Sequence, residues 1–189
     1  MSGKILVLTA LDDELKKTSA PENVEVIYTG MGKVNAASAA TLALLVLRPS
    51  IVINYGTAGS LNPSVQGLVE VSRVIQRDML AMPLAPRGRT PYSPEFDHFA
   101  SGRDGVTCGT GDSFVMASDP WMTEQAIDIV DMELFAIAHV CVRHSIPWRA
   151  FKFVSDSADS DAADHWKDNI AKGEVLFWEM MKTLSAPQP

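Results

Sequence analysis

Short apolar runs alternate along the chain with longer stretches whose apolar residues recur at helical spacing. Ile5-Leu6-Val7-Leu8 is a continuous apolar run, the mark of a strand buried on both faces. Leu11 and Leu15 follow at helical spacing. They predict a helix with Asp12, Asp13 and Glu14 in its first turn, where acids suit the helix dipole. Val24 to Tyr28 alternates and predicts a second strand. A glycine turn, Thr29 to Lys33, leads into Val34 to Leu47, an Ala- and Leu-rich helix that Pro49 stops. Ile51 to Tyr55 predicts a third strand. The small residues Gly56-Thr57-Ala58-Gly59-Ser60 predict a turn after it, where backbone N–H groups can approach a ligand.

Leu68 to Ile75 is a further strand-like run. Leu80 to Asp104 is rich in Pro, Gly and Arg and has no period, which predicts a long surface loop. Its Tyr92 and Phe96 either close over a pocket or pack the loop itself. Val106 to Gly109 and Ile127 to Val130 predict short strands. Between them, Asp119 and Pro120 have the character of a helix N-cap and first position. Asp131-Met132-Glu133 opens an apolar helix through Arg143, with Leu134, Ile137, Ala138 and Cys141 facing inward. Trp148 to Val154 is the last strand, and it turns abruptly polar at Ser155, Asp156, Ser157 and Asp159. Asp161 to Leu184 predicts an amphipathic helix with Ile170, Val175, Phe177, Trp178 and Met181 as core contacts.

Strands alternating with helices predict an α/β domain of three layers, α/β/α, with residues 1–189 as a single domain. The composition is ordinary for a globular protein, 47% apolar and 21% charged. A net charge of −7 without a basic block excludes a nucleic-acid footprint. The first apolar run is too short for a signal segment, and nothing approaches a membrane-spanning length. The expectation is a cytoplasmic protein. Cys108 and Cys141 lie far apart and suit small buried hydrophobes. The four histidines are scattered, so no metal is expected.

Chemistry in an α/β protein gathers at the carboxyl ends of sheet strands. Here those ends carry Thr9 to Glu14, Gly56 to Ser60, Gly111 to Val115, Asp131 to Glu133 and Ser155 to Asp159. Taken alone, Glu14 and Glu133 suit helix first turns, and Asp156 and Asp159 suit helix caps.

In their order along the chain, six stretches resemble the purine nucleoside phosphorylase/nucleosidase superfamily. They are Ala10-Leu11-Asp12-Asp13-Glu14, Gly30-Met31-Gly32-Lys33-Val34-Asn35-Ala36-Ala37, Ile53-Asn54-Tyr55-Gly56-Thr57-Ala58-Gly59, Gly111-Asp112-Ser113-Phe114-Val115, Asp131-Met132-Glu133 with Ala136 to Cys141, and Val154-Ser155-Asp156-Ser157-Ala158-Asp159. Within that superfamily the chain looks most like the 5'-methylthioadenosine/S-adenosylhomocysteine nucleosidases.

The resemblance implies a phosphorylase/hydrolase-like fold with a central mixed sheet. It implies a small-molecule purine nucleoside as substrate, no cofactor, a place in methionine salvage, and a homodimer whose partner closes the 5' side of the pocket. It makes Asp156 the acid that protonates adenine near N7, oriented by Ser155, and Glu14 the group that activates water. Glu133 would bind the ribose with Met132 packed on the sugar. Phe114 would stack on the base, the Val115 backbone would read its edge, and Thr57, Ala58 and Gly59 would line the site. Two positions depart from the family pattern: Lys152 replaces an arginine, and Asp131 a glutamate. The chain is also short between Met79 and Val106.

The chemistry suits two unlike carboxyl groups. Breaking an N-glycosidic bond passes through an oxocarbenium-like state, and protonation makes adenine a better leaving group. Burial can raise an Asp pKa enough for that task. A second carboxylate activates water and stabilises the cationic sugar. The alternative to this hydrolase is a purine nucleoside phosphorylase using inorganic phosphate, which needs N–H nests or cations to hold the anion. The acidic stretch Thr9 to Glu14 disfavours phosphate, whereas Arg73, Arg77, Arg87 and Arg89 would supply charge if their loop folds inward. A drifted nucleoside-binding protein is the third possibility.

Overall fold

The computed structural model describes residues 3–117, 119–156 and 172–185, with the side chains of Ser155, Asp156 and Ser185 outside the description. Eight strands form one mixed sheet in the order β2-β1-β3-β7-β6-β4-β5, with β8 pairing both β3 and β4. The strands are β1 (Ile5–Thr9), β2 (Val24–Tyr28), β3 (Ile51–Ser60), β4 (Leu68–Gln76), β5 (His98–Ala100), β6 (Val106–Thr110), β7 (Ile129–Asp131) and β8 (Trp148–Asp156). The helices are α1 (Lys33–Leu47), α2 (Pro120–Glu124), α3 (Leu134–Arg143) and α4 (Glu174–Ser185). β1 runs parallel to β2 and β3, and β3 parallel to β8. The antiparallel pairs β3–β7 and β4–β8, with the parallel pairs β4–β6 and β6–β7, close five strands into a ring.

The period of two in the strands sorts side chains to two faces. Leu6, Leu8, Val52, Trp148 and Ala150 face α1 and α3. Val7, Ile53, Tyr55 and Phe151 face α4 through Phe177, Trp178 and Met181. Small residues Ala36, Ala40 and Ala43 let α1 lie close on its side of the sheet. Helices therefore cover both faces, the three-layer α/β/α arrangement expected from the alternation. Cys108 and Cys141 are buried free thiols. Among the described residues, no helix is long and apolar enough to cross a membrane.

Several local expectations are corrected. Residues 11–15 form no helix; they make a tight turn, followed by a 3-10 turn at Lys17–Ser19. Residues 56–60 are not a turn but the second half of β3, buried between β7 and β8. The low strand propensity of Gly, Ala and Ser is overridden because two neighbours supply ladder bonds there. The loop between β4 and β6 is not structureless. It holds a 3-10 turn at Pro94–Phe96 and the edge strand β5. Phe96 packs on Phe99 and His139, whereas Tyr92 is exposed. β8 runs two residues past the predicted Val154. Val175 is exposed rather than in the core. The predicted helix over 161–173, with Ile170, lies outside the described residues, as do Ser157 and Asp159.

Candidate active site

Glu14 is buried, and its position follows from the turn after β1. The chain folds back so that Glu14 Oε2 accepts from Thr9 Oγ1 at 3.1 Å, Ala10 N at 3.1 Å and Leu11 N at 3.2 Å. Oε1 accepts from Thr57 N and Thr57 Oγ1, both at 2.9 Å. The turn residues thus use their own N–H groups to hold the carboxylate, and β3 completes the set. Gly56 makes this approach possible. A Cβ there would sit 3.3 Å from Glu14 Oε1 and 3.5 Å from Lys152 Nζ.

Lys152 is the basic member of the same centre. Alternation along β8 turns it away from Phe151, and its side chain is 1% exposed. Its Nζ lies 2.7 Å from Asp131 Oδ2. Asp131 ends β7 and caps α3: Oδ2 accepts from Leu134 N at 2.9 Å and Glu133 N at 3.3 Å. Oδ1 accepts from Thr110 Oγ1 at 2.5 Å, and that hydroxyl accepts in turn from Phe135 N at 3.0 Å. Burial pushes the Asp131 carboxyl up, but Lys152 and these donors outweigh burial and hold it below the ordinary carboxylate value. Burial pushes the Lys152 ammonium down, and Asp131 and Glu133 outweigh it, raising the pKa.

Glu133 sits at the N-cap of α3, buried, and its Oε1 accepts from Gly32 N at 2.8 Å. Burial first, and then the Asp131 charge, push its pKa up to about 7, against the pull of Lys152 and the Gly32 N–H. Adjacent carboxyls are therefore driven apart, one held ionised and one poised near neutrality.

Phe114 is 41% exposed, while Val115 is buried against Ile75, Met122, Ile127 and Val130. Met132 is half-buried. Thr57 and Ala58 lie within β3, and Gly59 pairs with Val130 on one side and Asp156 on the other. The register shifts between Ala58 and Gly59, so the backbone of Asp156 meets β3 at the strand end next to this cluster. The side chains of Ser155 and Asp156 lie outside the described residues. The structure thus gathers Glu14, Thr57, Asp131, Glu133 and Lys152 into one buried centre.

Other partners escaped sequence reasoning. Thr9 and Thr110 look like ordinary strand residues, and only their place at strand ends marks them. Arg77 does not turn inward as a phosphate ligand. Its Nη2 donates to Gly111 O at 3.0 Å and to Ser113 O. Arg87 pairs with Asp119 at 2.6 Å and Arg89 with Asp97 at 3.3 Å. Among the described residues no group of three His, Cys, Asp or Glu could hold a metal ion.

Comparisons with known proteins give the chain a family and a fold. The model of the phosphorylase superfamily matches residues 18–177. The chain is similar to the 5'-methylthioadenosine/S-adenosylhomocysteine nucleosidase of Listeria monocytogenes serotype 4a, with 30% identity covering 87% of this chain and 84% of the relative. The nucleosidase of the same name from a Marinomonas species is 28% identical, covering 85% and 81%. Among solved structures, the Neisseria meningitidis nucleosidase in complex with methylthio-immucillin-A superposes with a TM-score of 0.82 at 22% identity, covering 94% of this chain and 96% of that one. The futalosine hydrolase of Helicobacter pylori superposes at 0.86 with 21% identity, covering 96% and 97%. At such identities the structures speak for the fold.

Proposed function

We propose a reaction from one premise: the chain belongs to the phosphorylase superfamily and, within it, to the 5'-methylthioadenosine/S-adenosylhomocysteine nucleosidases. It hydrolyses the N-glycosidic bond of an adenine nucleoside of that type, giving adenine and the free sugar. The observation that carries water over phosphate as nucleophile is the setting of Glu14. Three backbone N–H groups and two hydroxyls, the kind of nest that would cradle a phosphate, already hold this internal carboxylate.

The site residues take these roles. Phe114 stacks on adenine and the Val115 backbone reads its edge. Glu133 accepts the ribose hydroxyls, and Met132 packs on the sugar. Asp156, oriented by Ser155, protonates the purine, while Thr57, Ala58 and Gly59 wall the nucleophile side. Glu14 places its negative charge beside the developing cation and takes a proton from water. A carboxylate has about four lone-pair directions. With five donors on it, Glu14 must release one contact before it can accept that proton. The Thr9 hydroxyl is the contact that a side-chain rotation can release without breaking a backbone bond.

The protein acts as a homodimer in the cytoplasm, in methionine salvage, and residues 1–189 form one domain. α1 supports the dimer. Its inner side is buried, yet Val34, Leu42, Leu45 and Val46 on its outer side are exposed. A helix apolar on both sides wants cover on both. Sedimentation of the purified protein as a monomer at micromolar concentration would end that part of the proposal.

The test is adenine release from methylthioadenosine, S-adenosylhomocysteine, 5'-deoxyadenosine and adenosine, with and without inorganic phosphate. Release in phosphate-free buffer is expected. Strict phosphate dependence would make it a phosphorylase, and tight adenine binding without turnover of any substrate a binding protein. Asp156→Asn is expected to abolish release and keep the fold, as read by circular dichroism.

A further inference from the structure

We propose that Arg77, Asp78 and Lys33 form a positioning clamp that holds the loop carrying Phe114 in fixed register with Glu133. This inference rests on the nucleosidase reading of those two residues. The loop between β6 and α2 leaves the sheet after the Gly111 N–H, which still donates to Asp131 O at 3.0 Å, and the backbone groups that follow lack ladder partners. Two consecutive residues after the end of β4 replace them. Arg77 donates to the carbonyls of Gly111 and Ser113, and to Ser113 Oγ at 3.2 Å. Asp78 Oδ2 accepts from Asp112 N at 2.9 Å. One residue serves the acceptors and the next serves the donor. Gly111 is required for this contact, because a Cβ there would lie 2.8 Å from Arg77 Cζ.

Lys33 links the held loop to the sugar side. It is the first residue of α1, and its Nζ lies 2.5 Å from Asp78 Oδ1 and 3.7 Å from Asp112 Oδ2. Its backbone N–H donates to Asp112 Oδ1 at 2.8 Å. The preceding residue, Gly32, is the one that donates to Glu133 Oε1. A displacement of the Asp112 loop is therefore felt at Gly32, one residue from the clamp, and through it at Glu133. The Lys33 and Asp78 side chains are 15% and 29% exposed, more enclosed than a surface pair worth nothing measurable. Burial pushes the Asp78 carboxyl up, but Lys33, the Asp112 N–H and Arg77 outweigh it and keep it ionised.

The clamp acts through Phe114, Val115 and Glu133. Its loss should weaken ground-state binding of base and sugar and leave the chemical step nearly alone. Lys33→Met and Asp78→Asn are expected to raise KM for methylthioadenosine about tenfold, with kcat within about twofold. Adenine binding, measured by calorimetry without turnover, should weaken by a similar factor. Lys33→Arg should restore most of it, and the Lys33→Met/Asp78→Asn double variant should be no worse than the poorer single. Folded variants with wild-type KM and adenine affinity would overturn the proposal. So would variants that lose kcat alone, or fully additive effects. Because adenine binding is read directly, a protein that binds adenine but fails as a hydrolase still tests the clamp.

Discussion

Replacing Lys152 by methionine tests the electrostatics of the buried centre. The side chain keeps nearly its volume and loses the positive charge paired with Asp131, 2.7 Å away. Removing one partner of a fully buried pair leaves the other charge uncompensated, which costs about 3–5 kcal/mol. For a chain of this length each kcal/mol lowers Tm by about 2–4 °C, so the variant should melt roughly 10 °C early. The Asp131→Asn change should relieve the damage in the double variant. Asparagine keeps an oxygen to cap Glu133 N and Leu134 N but carries no charge in need of a partner. Thermal melts of wild type, both singles and the double at pH 7 make the assay. The sign with pH follows from Asp131, whose pKa is lowered in the folded state. The pair's contribution is present above the ordinary carboxylate range and is lost as pH falls through the lowered value. The gap between wild type and Lys152→Met should therefore close in strong acid. A Lys152→Met protein that melts with wild type, or a double variant as unstable as the summed singles, would refute the reasoning.

Glu133 predicts the opposite sign. Its folded pKa is raised from 4.5 to about 7, so its contribution is present below 4.5 and lost as pH rises through 7. That amounts to up to about 3 kcal/mol between pH 5 and 8, and Glu133→Gln should flatten the slope in urea titrations at those two pH values. The acid limb of kcat/KM should fall near pH 7, where Glu133 becomes an ionised acceptor for the sugar; a limb unchanged in a still-active Glu133→Gln variant would assign it elsewhere. Glu14→Gln turns an NH2 group toward N–H donors. It should cost about 1–3 kcal/mol of stability and about two orders of magnitude in kcat or more, read by melts and by adenine release.

Much of this architecture was legible where one local rule and the tertiary setting agree. β1 and β2 are short apolar or alternating runs, α1 is an unbroken helical stretch between Gly32 and Pro49, and Asp119 with Pro120 does cap α2 through Trp121 N. The candidate site was legible as strand ends leading to Glu14 and to Asp131 and Glu133. The setting of Glu14 was not, because Leu11 and Leu15 obey helical spacing while the competing turn is stabilised by bonds to Thr57, far along the chain. Residues 56–60 misled for a similar reason: their strand is made by β7 and β8, not by their own propensity. Lys152 stood in an apolar strand as a departure from the family pattern, and only the register of β8 between β3 and β4 explains its burial. Arg77 and Asp78 serve backbone groups of a loop and Lys33 serves the carboxylates of Asp78 and Asp112, and no spacing in the sequence announces such partners.

Gly56 sets terms for how this centre can change over generations. Any larger residue there would crowd the Glu14 carboxylate with a Cβ at 3.3 Å and bring it into contact with the Lys152 ammonium at 3.5 Å. Positions 14, 56 and 152 therefore form one unit of variation, although they sit on three separate strands or turns. A substitution at position 56 is felt first at the Glu14 carboxylate, so its tolerance depends on what stands at position 14. Drift at this centre should proceed by paired exchanges rather than single steps. A mutant library that randomises these positions one at a time should return almost only the parent, while one that varies all three together should recover active combinations.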